Sequence, residues 1–308
     1  MTNIAAAAGA VPARASDPTS AVALTQRRIA HWTRGVRHGP IVRLMSPSDL
    51  GGVVKPFVFL DLFEANMGAM DMPMHPHSGI ATVTVFTKGD VRFDDPQAGK
   101  GRIAYGGVEW LRAGGGVWHG KELSAGSSPQ AQGFQLWVAL PPKFENAPSE
   151  SQYLDASQMQ RAGHAHIIVG AYQGVESPVR APAGFNYLLV TLKAGETWTY
   201  HPPEGHGVAW LAIAEGALDA GERLSAGEMA VFDRGEAPIR LTALGNAETV
   251  FVLGSAVPHP HDLHLGYYSV HTSAEALAQG EMRIEELGRK LAAAGDRRTE
   301  SGATPVFR

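Results

Sequence analysis

Two histidines separated by one residue, His75-Pro76-His77, open the run Ser78-Gly79-Ile80-Ala81-Thr82-Val83-Thr84-Val85-Phe86-Thr87, where the pattern turns to strand. On an extended chain residues i and i+2 point to one face, so the two imidazoles can converge on one point. A third histidine ends Ala113-Gly114-Gly115-Gly116-Val117-Trp118-His119, and its glycines let the backbone turn tightly and bring an imidazole inward. Neutral imidazole is a borderline ligand that suits Fe, Zn, Mn, Ni, Co or Cu. Three of them leave positions open for water, dioxygen or a substrate oxygen, the condition for catalysis rather than a closed structural site. The expectation is one divalent metal held by His75, His77 and His119 inside a β-barrel.

The rest of the composition narrows the chemistry. The chain has no cysteine, which excludes a disulfide framework, a thiolate zinc site and a cysteine nucleophile, so any metal falls to His, Asp or Glu. A formal charge of −4 offers no electrostatic footprint for nucleic acid. The Arg27, Arg28, Arg34, Arg37 cluster is interrupted by Trp32 and Gly35 and reads as surface charge. No window approaches the ~18 consecutive apolar residues of a membrane span, and the weakly apolar start without a preceding basic residue makes a poor signal peptide. A cytoplasmic protein with no direct contact to nucleic acid or membrane is expected.

The elements that must position the histidines are strands. At 308 residues, with 36 Gly and 20 Pro, the chain suits two turn-rich all-β domains. Strand patterns run from Ile41 to Leu140, parted by turn clusters such as Lys88-Gly89-Asp90. A second set runs from His166 to Leu253. Thr87-Lys88-Gly89-Asp90-Val91 is echoed by Ala214-Glu215-Gly216-Ala217-Leu218, which suggests a repeat. The predicted organisation is an arm and lead-in over 1–39, a first barrel over 40–142 and a linker over 143–165. A second barrel follows over 166–257, then a connection, helix and tail over 258–308. The arm, residues 1 to about 25, is too polar and aperiodic to predict structure. Ser273 is the predicted N-cap of a helix whose apolar stripe includes Ala276, Leu277, Met282, Ile284, Leu287 and Leu291, and residues 292–308 read as a frayed tail. The second barrel has no His-x-His pair, so only the first should hold metal. The run His259-Pro260-His261, in a Pro-rich connection, reads as a surface loop.

Three stretches together carry a resemblance: His75-Pro76-His77-Ser78-Gly79-Ile80-Ala81-Thr82-Val83, then Ala113-Gly114-Gly115-Gly116-Val117-Trp118-His119, then Gly133-Phe134-Gln135-Leu136-Trp137-Val138. They resemble the pirin family of the cupin superfamily, specifically over residues 57–140 and more weakly over most of the chain. The resemblance implies two tandem cupin barrels, that is, double-stranded β-helix or jelly-roll barrels, with a C-terminal helix. It also implies one mononuclear metal in the first barrel, commonly iron. In this family some bacterial members act on quercetin as 2,3-dioxygenases, and animal members are described as transcriptional co-regulators.

One departure bears on mechanism. The family's fourth ligand is a glutamate two residues after the last histidine, and that position is Lys121, with Glu122 one residue later. On a regular strand Glu122 would face away from His119, whereas a bulge at Gly120 could re-aim it toward the metal. The ligand set is therefore His75, His77, His119 and Glu122, or the three histidines alone with Lys121 nearby. Two functional readings follow: a metal-dependent oxidoreductase acting on a small aromatic polyol, in which Glu122 or Lys121 could take part in catalysis, or a regulator that binds a protein partner.

Overall fold

The computed structural model describes residues 26–69 and 72–308; the predicted arm at residues 1 to about 25 lies outside them. Two barrels are built from two large sheets of matching strand order. The first large sheet runs Glu150–Leu154, Val108–Arg112, Ile80–Lys88, Gln130–Ala139, Phe57–Asn66, Ile41–Met45 and Val36–His38, and the second runs Ile29–Thr33, Met229–Phe232, Val208–Glu215, Thr249–Ala256, Phe185–Leu192, Ala165–Val169 and Gln160–Ala162. All pairings between these neighbours are antiparallel. Smaller sheets close each barrel, including the pair His75–His77 with Val117–His119 in the first.

Strand alternation decides what each face does. Along Ile80–Lys88, Ala81, Val83 and Val85 face a core shared by both large sheets, while Thr82, Thr84 and Phe86 fall on the face that turns into the first barrel. Across the shared core Phe57 meets the Trp210 ring at 5.4 Å and the Phe185 ring at 5.8 Å, both edge-on. Each large apolar side chain buried there contributes about 1.5–3 kcal/mol, so the barrels are joined face to face by a continuous hydrophobic layer. The second barrel's own interior is mostly apolar, with Leu188, Leu211, Trp198 and Phe251 in one cluster and a small buried polar group in which the Ser255 hydroxyl meets the Tyr200 hydroxyl at 2.6 Å and Nδ1 of His206 at 2.8 Å. In the first barrel the interior apolar residues divide into two separate clusters, one around Ile80 and Leu111, the other around Phe86 and Ile103.

Two expectations about the connections change. The presumed linker 143–165 contains the strand Glu150–Leu154, which pairs with Val108–Arg112 of the first barrel, and Gln160–Ala162, which pairs with Ala165–Val169 of the second. Between these two strands lies the 3-10 segment Ala156–Gln158, capped by Asp155. Within the expected lead-in, Ile29–Thr33 pairs with Met229–Phe232, so the N-terminal segment completes the far barrel. Short segments with few apolar positions gave no period by which to assign them to a sheet.

The helix Ala274–Ala293 has Ser273 at its N-cap, whose Oγ accepts the Ala276 N–H at 3.1 Å. It buries Ala276, Gly280, Ile284 and Leu287 against the first barrel, whereas Met282 is 62% exposed and leaves the predicted stripe. The tail is not frayed. Phe307 exchanges two backbone hydrogen bonds of 2.8 Å with Trp118, the Thr304 N–H donates to the Lys121 carbonyl at 2.7 Å, and Val306 joins the cluster containing Val58 and Ile80. Burial of Val306 and Ala303 supplies the anchoring that composition alone did not reveal.

Candidate metal centre

The three histidines meet on the small sheet of the first barrel. His75 lies directly across from His119, and Val117 across from His77. Ring centroids are 4.5 Å apart for His75 and His119, 4.9 Å for His77 and His119, and 5.0 Å for His75 and His77. One potential ligand nitrogen from each lies within 4.8 Å of the others.

Each ring is oriented from behind. Nδ1 of His75 faces the Pro73 carbonyl at 3.0 Å, Nδ1 of His77 the Tyr268 carbonyl at 3.0 Å, and Nδ1 of His119 the Glu122 Oε1 at 2.7 Å. A carbonyl or carboxylate oxygen only accepts, so these contacts put the proton on Nδ1 and leave Nε2 with a lone pair. The Nε2 atoms of His77 and His119 are buried without a partner among the described residues. Buried polar atoms are seldom left so, and imidazoles with Nδ1 engaged and Nε2 free are what a metal ion requires. Burial, reinforced by the neighbouring imidazoles, also holds His77 well below its ordinary pKa and His75 down at about 4, which keeps both neutral at neutral pH. At His119 burial works the same way, but the Glu122 carboxylate outweighs it and raises the pKa.

The structure brings His75, His77 and His119 together and leaves Glu122 outside that group. Gly120, at φ +137°, breaks the regular strand, and a Cβ there would lie 2.8 Å from the Pro73 carbonyl oxygen, so the close approach needs glycine. The break does re-aim Glu122, but toward Nδ1 of His119 rather than toward the free nitrogens; its other oxygen accepts the Gly120 N–H at 2.7 Å. Burial disfavours the Glu122 anion, yet His119 and the Gly120 N–H reverse that and hold its pKa low. Lys121 lines the neighbouring cavity, with its backbone bridged to Thr304.

That cavity, of about 490 Å³, is bordered by His75 and His119. Phe59 and Trp137 stack at 4.1 Å on its wall, Arg43 lies 4.1 Å over the Phe59 ring, and Arg43 pairs with Asp61 at 2.5 and 3.1 Å. Burial raises the Asp61 pKa against the opposing pull of Arg43. Thr84, Gln135 and Glu109 supply polar groups deeper in the barrel. Glu109 is 2% exposed, and burial together with the charge of Glu122 raises its pKa to about 8.

Two participants escaped the sequence reading. Glu109 could have been found from strand parity, since it sits two residues before Leu111 on one face of a predicted strand. Tyr268 could not. It lies in the turn between His264–Gly266 and Ser269–His271 at φ +54°, a conformation costly for a side-chain-bearing residue, and from there its carbonyl reaches His77 while its ring lies 5.5 Å from His75. The run His259-Pro260-His261 joins neither of the two groups of side chains that could hold a metal ion among the described residues.

A family model described as Pirin matches residues 42–138. A pirin-like protein of Caulobacter vibrioides is 31% identical over 217 residues, covering 67% of this chain and 77% of the relative. The chain belongs to the pirin family. A Pseudomonas aeruginosa protein provisionally named quercetin 2,3-dioxygenase is 29% identical to this pirin over 250 residues, 75% of the chain and 85% of the relative. Among solved structures, that of a quercetin 2,3-dioxygenase from Acinetobacter baumannii superposes with a TM-score of 0.71 at 23% identity, covering 87% of this chain and 98% of the other. At that identity the likeness concerns the fold, and it matches the two tandem cupin barrels with a C-terminal helix described above. No helix among the described residues is long and apolar enough to cross a membrane.

Proposed function

We propose that this pirin is a metal-dependent dioxygenase of the quercetinase type, acting on a small aromatic polyol. The reading is carried by the convergence of three imidazoles, two of them with buried, unpartnered Nε2 atoms, beside a 490 Å³ cavity that His75 and His119 border and that also presents aromatic rings and hydrogen-bonding groups. His75, His77 and His119 would hold one divalent ion, Fe(II) in our reading, with Zn, Mn, Ni, Co or Cu as alternatives. When bound, that ion would supply Lewis acidity and redox chemistry toward a substrate oxygen and dioxygen.

The protein's own groups do the rest. The carbonyls of Pro73 and Tyr268 and the carboxylate of Glu122 fix the ring orientations before the ion enters. The stacked Phe59 and Trp137 give a flat apolar wall against which an aromatic ring excludes water, and Gln135 and Thr84 offer partners for its hydroxyls. Support also comes from the quercetin dioxygenase names carried by the Pseudomonas and Acinetobacter proteins.

A second reading is favoured by one observation. Position 121 offers an ammonium, and the Glu122 carboxylate is engaged on the far side of His119, so neither supplies a carboxylate beside the free nitrogens to accept a substrate proton. On that ground the protein would be a regulator whose metal stiffens a surface for a protein partner. Oxygen uptake with quercetin after reconstitution with iron separates the two. Turnover abolished by His75→Ala supports the enzyme, and absence of turnover with every metal of the series favours the regulator.

A further inference from the structure

The first barrel contains a second set of convergent donors behind the three imidazoles. Glu109, Glu122 and His119 each offer a ligand atom within 4.8 Å of the other two, and all three residues are buried. We propose that this trio binds a second divalent cation, so that His119 bridges two ions, through Nε2 to the three-imidazole site and through Nδ1 to the carboxylate site.

Three observations carry it. Oε1 of Glu109 is buried without a hydrogen-bond partner among the described residues, on a side chain only 2% exposed. An orphaned carboxylate oxygen in such a place is expensive to leave unsatisfied, and a cation satisfies it fully. Second, the Glu122 carboxylate already lies 2.7 Å from Nδ1 of His119, so the donors of the trio are gathered around one point in the barrel interior. Third, Glu109, His119 and Glu122 all border the cavity, which gives an ion an entry path.

The donor chemistry suits a borderline ion. Imidazole nitrogen and carboxylate oxygen both ligate Zn(II), and bonds of about 2.0–2.2 Å place donors roughly 3–4 Å apart, so the His119–Glu122 pair, 2.7 Å apart as a hydrogen bond, opens by a few tenths of an ångström to admit the ion. Binding displaces the His119 Nδ1 proton, and any proton held between Glu109 and Glu122, to solvent. The ring becomes an imidazolate, and the charges of the three anionic donors are set against those of two dications.

The test uses the full-length chain stripped with a chelator and titrated with Zn(II) alone, with bound metal counted by elemental analysis after gel filtration. The expected stoichiometry is about two per chain for the natural sequence and about one for Glu109→Gln, with the remaining ion among the imidazoles. His77→Ala is expected to retain the carboxylate-site ion. A single equivalent in the natural sequence, or two undiminished by Glu109→Gln, overturns the proposal. Should Glu109→Gln fail to fold, zinc anomalous scattering from crystals of the natural sequence decides. A maximum within bonding distance of Glu109 and Glu122 supports the site, and density only among the three imidazoles refutes it. Loss of density among the imidazoles instead would count against the primary metal site and leave the second to be judged on its own maximum.

Discussion

The two barrels have the same strand order but opposite interiors. Where the first pairs His75 with His119 and His77 with Val117, the matching strands of the second, Thr197–Tyr200 and Ile239–Leu244, pair Trp198 with Leu241 and Tyr200 with Ile239. Those four residues sit in the apolar cluster that fills the second barrel. The large sheets repeat the contrast. Thr84, Glu109 and Gln135 project into the first barrel, while the large sheet of the second contributes Val190, Leu211 and Leu253 to its filled interior. The difference teaches that the scaffold does not need a polar interior. The second barrel shows the fold with a mostly packed interior, and the first gives up part of that packing for a cavity and convergent donors.

The comparison can be broken most sharply at matched positions. His119→Ala should abolish bound metal and with it any oxygen uptake, whereas Leu241→Ala should leave metal content unchanged and cost about 2–5 kcal/mol in urea unfolding. Equal loss of metal in both variants would mean that the barrels are not functionally distinct. Next, Trp198→Ala should destabilise by about 3–5 kcal/mol, and Trp137→Ala by clearly less, because Trp137 already borders a cavity; a reversed order in thermal denaturation would contradict the hollow-versus-filled contrast. Glu122→Gln should weaken metal binding by the three imidazoles about 10–100-fold with the fold intact, since it removes the charged acceptor that orients His119, as read by competition with a chromogenic chelator. The smallest expected effect is that of Val306→Ala, roughly 1–2 kcal/mol for the buried methyl groups that pin the tail to the first barrel, measured by calorimetry.

Much of this was readable from the sequence. The strands from Ile41 to Leu140 and from His166 to Leu253 announce themselves by alternation and glycine turns, and the helix by its N-cap Ser273. Two of the three histidines are local: i, i+2 parity puts His75 and His77 on one face, while His119, marked by its glycine-rich turn, joins them through the pairing of Val117–His119 with His75–His77. What escaped was set by contacts distant in sequence. Tyr268 reaches His77 only because a late hairpin folds over the first barrel, and Glu122 engages Nδ1 because Gly120 adopts a positive φ that residue type permits but does not dictate. Val306 and Phe307 look like an unremarkable terminus until Trp118 is seen to pair with Phe307.

The edge strands of the two large sheets are exchanged: Ile29–Thr33 closes the C-terminal barrel, and Glu150–Leu154 closes the N-terminal one. During synthesis the segment that emerges first must therefore wait, unpaired, until Met229–Phe232 has left the ribosome, with the whole first barrel made in between. The second barrel cannot be excised as an uninterrupted stretch of chain: a gene fragment beginning after Leu154 lacks its border strand, and one ending there keeps the first large sheet whole but carries Ile29–Thr33 with nowhere to go.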